Sequence, residues 1–233
     1  MDRALHHPAM HAFTVTLLLV AAAWYAAGVQ RLWARAGAGR GIGHVNLGAF
    51  AAGMMVLAVA ALGPFEALLW SHMVQHELLM VLAAPLLVLG QPLVAFARVV
   101  PLRVPRALGE PLVASVLHAA AIGAWHIPAL FVAATASETL HLAQHASFLA
   151  SALLFWWMVF ARRDLAALIA LFGTMLYTGA LGALMTFSRA SWYAGYELAD
   201  QTLAGLVMWI PAGLAYPAAA LYLGSRWLGR SPA

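Results

Sequence analysis

The sequence predicts an all-α integral membrane protein with seven transmembrane helices, its N-terminus outside and its C-terminus cytoplasmic. Three observations predict it. Of 233 residues, 64% are apolar and only 9% are charged, against roughly 25% charged in an average soluble domain. Mean hydropathy is +0.87, and a chain this short cannot hide that much apolar surface, so lipid must cover part of it. The arginines, finally, gather after every second apolar run.

A spanning helix needs about 20 mostly apolar residues. Runs of that kind fall at about 12–33, 44–63, 71–97, 108–132, 139–160, 165–187 and 201–224, with boundaries good to a few residues. The first resembles a signal peptide, with Arg3 in front and small residues at Ala26 and Ala27. Its positive charges follow it, however, at Arg31, Arg35 and Arg40, which favours an uncleaved segment. The second lies between the turn Arg35–Gly43 and Pro64. The third opens with Ser71-His72-Met73-Val74-Gln75-His76 and ends at the turn Arg98–Pro105. The fourth carries Trp125-His126-Ile127-Pro128 at its outer end. The fifth opens with His141-Leu142-Ala143-Gln144-His145 and is followed by Arg162 and Arg163. The sixth is plainly apolar. The seventh opens with Asp200-Gln201 and is followed by Arg226 and Arg230. No linker or low-complexity tract interrupts them, so 1–233 reads as a single helical membrane domain.

With seven crossings, ten arginines fall on one side: Arg31, Arg35, Arg40, Arg98, Arg103, Arg106, Arg162, Arg163, Arg226 and Arg230. Only Arg3 and Arg189 fall on the other. The positive-inside rule makes the first side cytoplasmic. Glu66, Glu138, Glu197 and Asp200 then lie outside. The net charge of +4 follows from this topology, so the expected partner is the lipid bilayer and not nucleic acid.

Composition also excludes chemistries. There is no Lys, so a retinal Schiff base is excluded. There is no Cys, which excludes disulfides, Fe–S clusters, Cys zinc sites and C-x-x-C motifs. Ten His and ten Met are the remaining soft or borderline ligands.

Two of the apolar runs begin with the same pattern, H-x-x-Q-H, at 72–76 and 141–145. Histidines four apart share a helix face and can hold one metal ion, as in the helical H-x-x-x-H of zinc enzymes. Met80 extends the first face, since His72, His76 and Met80 drift only about 80° around a straight α-helix. Glu138 extends the second, with His141 and His145. One copy of the pattern arises easily by chance, and a membrane histidine often only joins helices. Two copies at one membrane depth in a chain this poor in polar groups point to function. Packed together, the two helices form a four-His or a dinuclear site.

Other polar positions admit two readings. His126 fits a ligand or a polar partner in an interfacial aromatic belt. Asp200 fits a ligand or an ordinary N-cap. His118, two turns below His126, and Met208 fit packing better than ligation. His6, His7 and His11 fit a metal-capturing or a solvated tail. Glu77 lies off the histidine face and has no assigned role, and His44 falls on the cytoplasmic side. Neutral His with Met thioether ranks copper first, zinc or iron with a carboxylate second, and haem between two histidines third.

These residues also carry a resemblance. Pro64 onward through His72–His76 to Pro85, Gly90 and Pro92, then Trp125-His126-Ile127-Pro128, His141–His145 and Phe155-Trp156-Trp157, resembles the polytopic CtaG-type assembly proteins of haem–copper cytochrome c oxidase. So does the run Asp200-Gln201-Thr202 to Trp209-Ile210-Pro211. The likeness covers about residues 60 to 220, with the motifs in order. It is distinct from the Cys-dependent copper chaperone that shares the name.

The resemblance implies a multi-pass protein of the bacterial inner membrane, serving assembly of the respiratory chain. It implies copper delivery to cytochrome c oxidase subunits, with a periplasmic copper chaperone as a further partner. The family's motifs map onto His72, His76, His141 and His145, accompanied by His126 and Asp200. The expected function is thus a non-enzymatic copper-binding assembly factor. A membrane metalloenzyme with a His/carboxylate di-metal centre beside Glu138, and a haem-binding electron carrier, are the alternatives.

Overall fold

The computed structural model describes residues 8–65, 67–101 and 105–229. Arg3, His6, His7, Glu66, Arg103 and Arg230 lie outside the described residues. Within them every regular element is helical. We number these α1 (Pro8–Ala36), α2 (His44–Leu62), α3 (Leu69–Leu89), α4 (Pro92–Phe96), α5 (Pro111–Trp125), α6 (Pro128–Ala136), α7 (Glu138–Arg162), α8 (Leu165–Phe187) and α9 (Leu198–Leu228). Six of them are long and apolar enough to cross a membrane, and a seventh span results if the bent pair α5–α6 is taken as one. The chain is a multi-pass membrane protein.

Two expected segments are broken, both at proline. The third run does not continue to residue 97. It stops at Leu89, and Gln91 turns into the left-handed region (φ 56°) before the short α4. Pro92 disfavours helical backbone in the residue before it. The carbonyls left open at this helix end are filled from other helices. Tyr25 Oη donates to Gly90 O at 2.8 Å, and Asn46 Nδ2 to Leu89 O at 2.7 Å. The fourth run is bent by 74° between α5 and α6. Ile127, before Pro128, is extended (φ −63°, ψ 125°), so His126 becomes the last residue of the first half.

α3 is the centre of the bundle, packed on α2, α7 and α9, with more than half of its residues buried. It is not a uniform α-helix. Leu78–Ala83 forms a π turn in which Ala84 N–H donates to Leu79 O, five residues back. The next donor in that register is Pro85, which has no N–H. The Met80 carbonyl that Pro85 leaves open accepts instead from the Trp156 indole N–H of α7 at 2.9 Å. That bond ties the middle of α3 to α7, the two helices that carry the repeated histidine pattern.

α8 and α9 cross closely through small residues. A Cβ built on Gly205 would lie 2.5 Å from Gly182 O and against Thr186, so only glycine allows this approach.

Candidate metal centre

α3 starts under the control of a distant residue. The N–H groups of Leu69 and Trp70 donate to the two carboxylate oxygens of Asp200, at 2.8 and 3.0 Å. A carboxylate suits a helix N-terminus, where free N–H groups and the helix dipole favour negative charge. Asp200 therefore caps α3, not its own helix α9. One turn on, Gln75 Nε2 donates to Ala60 O of α2 at 2.7 Å. This bond fixes the rotation of α3 about its axis. His72 and His76 then lie on a buried face, each 1% exposed.

α7 starts with a local cap, the Leu140 N–H donating to Ser137 Oγ at 3.4 Å. His141 and His145 follow on one face, both half-buried, with Gln144 fully buried between them. The third contributor is the bend after α5. There His126 is 4% exposed. Its ring is held by Nδ1 against Ile122 O at 2.7 Å, and its carbonyl accepts from Tyr193 Oη at 3.1 Å.

These three elements bring five imidazoles together. One ligand atom each from His72, His141 and His145 lie within 4.8 Å of one another. Ring centroids are 5.3 Å apart for His72–His141, 5.7 Å for His72–His145 and 4.2 Å for His141–His145. His76 continues the cluster, 4.4 Å from His72 and 5.3 Å from His145. His126 lies 6.0 Å beyond His76. Phe131 packs edge-on against His72 at 5.3 Å, and Phe148 against His76 at 4.6 Å, giving the cluster aromatic walls.

The nitrogen atoms define what this cluster can do. A carbonyl can only accept, so Nδ1 of His126 carries the proton and Nε2 keeps its lone pair. That nitrogen, Nε2 of His72 and His145, and both ring nitrogens of His76 are buried with no hydrogen-bond partner among the described residues. Each such group costs about 1–3 kcal/mol relative to a satisfied one, and native proteins rarely accumulate them. Unshared imidazole lone pairs, one already oriented by a backbone carbonyl, are the donor set that a soft or borderline metal ion requires.

The other residues singled out from the sequence are not part of the converging trio. Glu138 is exposed in the first turn of α7, one turn before His141, and is not among the three residues whose ligand atoms converge. Met80 was placed on the histidine face by straight α-helical spacing. In the structure Met80 lies within the π turn and is buried in the apolar cluster that includes Phe148, Phe155 and Trp156. Asp200 has both oxygens on α3 backbone. Oδ1 and Oδ2 thus serve the helix that carries His72. Glu77, one residue past His76, buries Oε2 without a hydrogen-bond partner among the described residues. His118 is fully buried, with Nδ1 3.1 Å from Ser151 Oγ and its ring stacked on Phe155 at 5.2 Å. Met208 packs with Met73, Phe131, Met185 and Tyr193. His44 stands beside Trp33 at 5.4 Å, and His11 is half-buried on α1.

Two residues important to the site were not singled out as such. Gln201 is fully buried and fastens the loop between α8 and α9: Trp192 N–H donates to its Oε1 at 2.6 Å, and its Nε2 donates to Met185 O and Ala190 O at 3.2 and 3.3 Å. This loop delivers Tyr193 to His126. Burial pushes the Tyr193 phenol above its ordinary range, so its O–H remains a donor. The polar pair Asp200-Gln201 at a helix start was a visible signal for one of these. Tyr193 had none, because an aromatic in a loop carries no periodicity.

No curated protein and no solved structure matches the chain. A family model does, that of the cytochrome c oxidase caa3 assembly factor (Caa3_CtaG), over residues 23–230. The match takes in all of the histidines of the cluster, the cap from Asp200 and the clamp from Gln201. The chain belongs to the cytochrome c oxidase caa3 assembly factor family.

Proposed function

We propose that this protein binds copper through His72, His141 and His145 and supplies it to cytochrome c oxidase during assembly. The single observation that carries this reading is the convergence of one ligand atom from each of these histidines within 4.8 Å. A second support is the donor chemistry, which is imidazole without thiolate and suits copper more than a hard cation. The crowding of five rings within about 6 Å of their neighbours favours a bare ion over a flat porphyrin. The carboxylate that an enzymatic di-metal centre would use, Glu138, is not among the three residues whose ligand atoms converge.

The site is graded in exposure. His72 is 1% exposed, while His141 and His145 are half-buried. A carrier must hold its ion and yet release it to a competing ligand set. The half-buried pair offers the edge at which an incoming ligand displaces an imidazole, while His72 anchors the ion. With the orientation read from the arginines, this edge faces the outer side of a bacterial inner membrane, toward the oxidase subunits and a periplasmic copper donor.

The test is made in cells lacking the protein. They are complemented with wild type or with His72→Ala/His141→Ala, and the copper-to-haem ratio of the purified oxidase is measured. The reading expects copper-deficient oxidase with the variant at equal membrane abundance. Fully metallated oxidase with the variant contradicts it.

A further inference from the structure

The trio accounts for only three of the five clustered histidines. His76 and His126 lie beyond it, His76 one turn further along α3 than His72 and His126 at the bend after α5, and both are almost fully buried, at 1% and 4% exposure. Both ring nitrogens of His76 and Nε2 of His126 lack a hydrogen-bond partner among the described residues. A histidine kept only to join helices would use its nitrogens on a neighbour, and His76 uses neither.

We infer that His76 and His126 form a second copper position, deeper than the first and suited to two-coordinate Cu(I), so that the protein holds two ions at saturation. The inference rests on the copper reading above and adds to it a separate site.

His76 stands as close to His72 and His145, at 4.4 and 5.3 Å, as the trio's rings stand to one another, but its ligand atoms are not among those that converge, and its separation from His126 is of a different kind. A metal–imidazole bond of about 2 Å places the ring centroid about 3 Å from the ion. Two rings straddling one ion in a line therefore stand about 6 Å apart, and at a tetrahedral angle about 5 Å apart. The His76–His126 separation is 6.0 Å, which fits the linear arrangement. The trio, at 4.2, 5.3 and 5.7 Å, is drawn in as a higher coordination number requires. His126 is also prepared as a ligand. Its Nδ1–H is held by Ile122 O, which leaves Nε2 as the donor atom and sets the ring plane.

The surroundings favour a monovalent ion. Phe148, fully buried, lies 4.6 Å from His76 and 6.2 Å from His126. On this side an apolar wall offers no oxygen or water-binding group to complete the larger coordination shell that a divalent ion would need. His145 connects the two positions, with its ring 5.7 Å from His72 and 5.3 Å from His76. An ion leaving the deeper position thus has a shared ligand on the way to the trio and its half-buried edge.

The experiment loads detergent-purified protein with Cu(I) under anaerobic conditions in competition with bicinchoninate, then counts copper by elemental analysis. X-ray absorption reports the number of nitrogen neighbours. Wild type should hold about two equivalents, and His126→Ala and His126→Asn about one, now without the two-coordinate component. His141→Ala, changed at the half-buried edge, should keep the deeper ion and its two-coordinate signature. This variant decides the matter if the His126 variants do not fold. A wild type saturating at one equivalent, His126 variants that keep two, or a His141→Ala that keeps none, overturns the second position. No copper in wild type overturns the copper-carrier reading itself, and the second position with it.

Discussion

The Tyr193 hydroxyl donates to the carbonyl of His126 across 3.1 Å, joining residues 67 positions apart in the chain. The bond connects the loop between α8 and α9 to the bend after α5. Tyr193 also lies 4.3 Å from Phe131, whose ring packs against His72. One loop residue thus supports both the buried anchor of the trio and the histidine at its far side. Tyr193→Phe keeps the ring and removes the bond. It should lower stability by about 0.5–1.5 kcal/mol and leave the trio's copper in place. Thermal unfolding in detergent beside elemental analysis checks both parts.

Asp200 was one of the ligand candidates, and its two oxygens are engaged by Leu69 and Trp70 N–H. Replacing a capping carboxylate costs about 0.5–2 kcal/mol. Asp200→Ala should therefore unfold at lower temperature while the folded fraction saturates with as much copper as wild type. A copper count reduced by one in fully folded protein would instead make Asp200 a ligand.

Glu77 buries Oε2 without a hydrogen-bond partner among the described residues, and burying an uncompensated charge is costly. Glu77→Gln keeps the shape and removes the ionisable group. The variant should be at least as stable as wild type and should bind the same amount of copper. A loss of copper on this change would place the carboxylate in the metal site.

Gly205 lets α9 approach α8 so closely that an added Cβ would meet Gly182 O at 2.5 Å. Gly205→Ala should cost about 1–3 kcal/mol through overpacking. Because Asp200 and Gln201 stand one turn before it on α9, the variant should also loosen the cap on α3 and the loop clamp. Faster proteolysis between α8 and α9 is the expected sign.

Much of this was legible in the sequence, for identifiable reasons. Apolar runs of membrane length mark their helices because lipid accepts nothing else, and the runs near 44–63 and 165–187 match α2 and α8 almost to the residue. The runs containing Pro92 and Pro128 were read as continuous, since hydropathy does not register a turn of the backbone. The repeated H-x-x-Q-H pattern brought out four of the clustered histidines, because four-residue spacing survives as one face in any α-helix. His126 joins them through the bend at Pro128, a tertiary consequence that spacing alone does not carry. The π turn ahead of Pro85, in which Met80 lies, leaves no mark in a hydropathy pattern. The two glutamines of the repeat look equivalent in sequence but differ in the fold. Gln75 ties α3 to Ala60 of α2, whereas Gln144 is buried within the cluster itself.

The most direct test of the central claim is the copper content of the purified protein after anaerobic loading, wild type beside His72→Ala/His145→Ala. These two residues come from different helices and meet only in the folded cluster, with ring centroids 5.7 Å apart. The account predicts copper retained through gel filtration by wild type and lost from the trio in a variant that elutes as folded protein. Equal copper in both, or none in either, would contradict it.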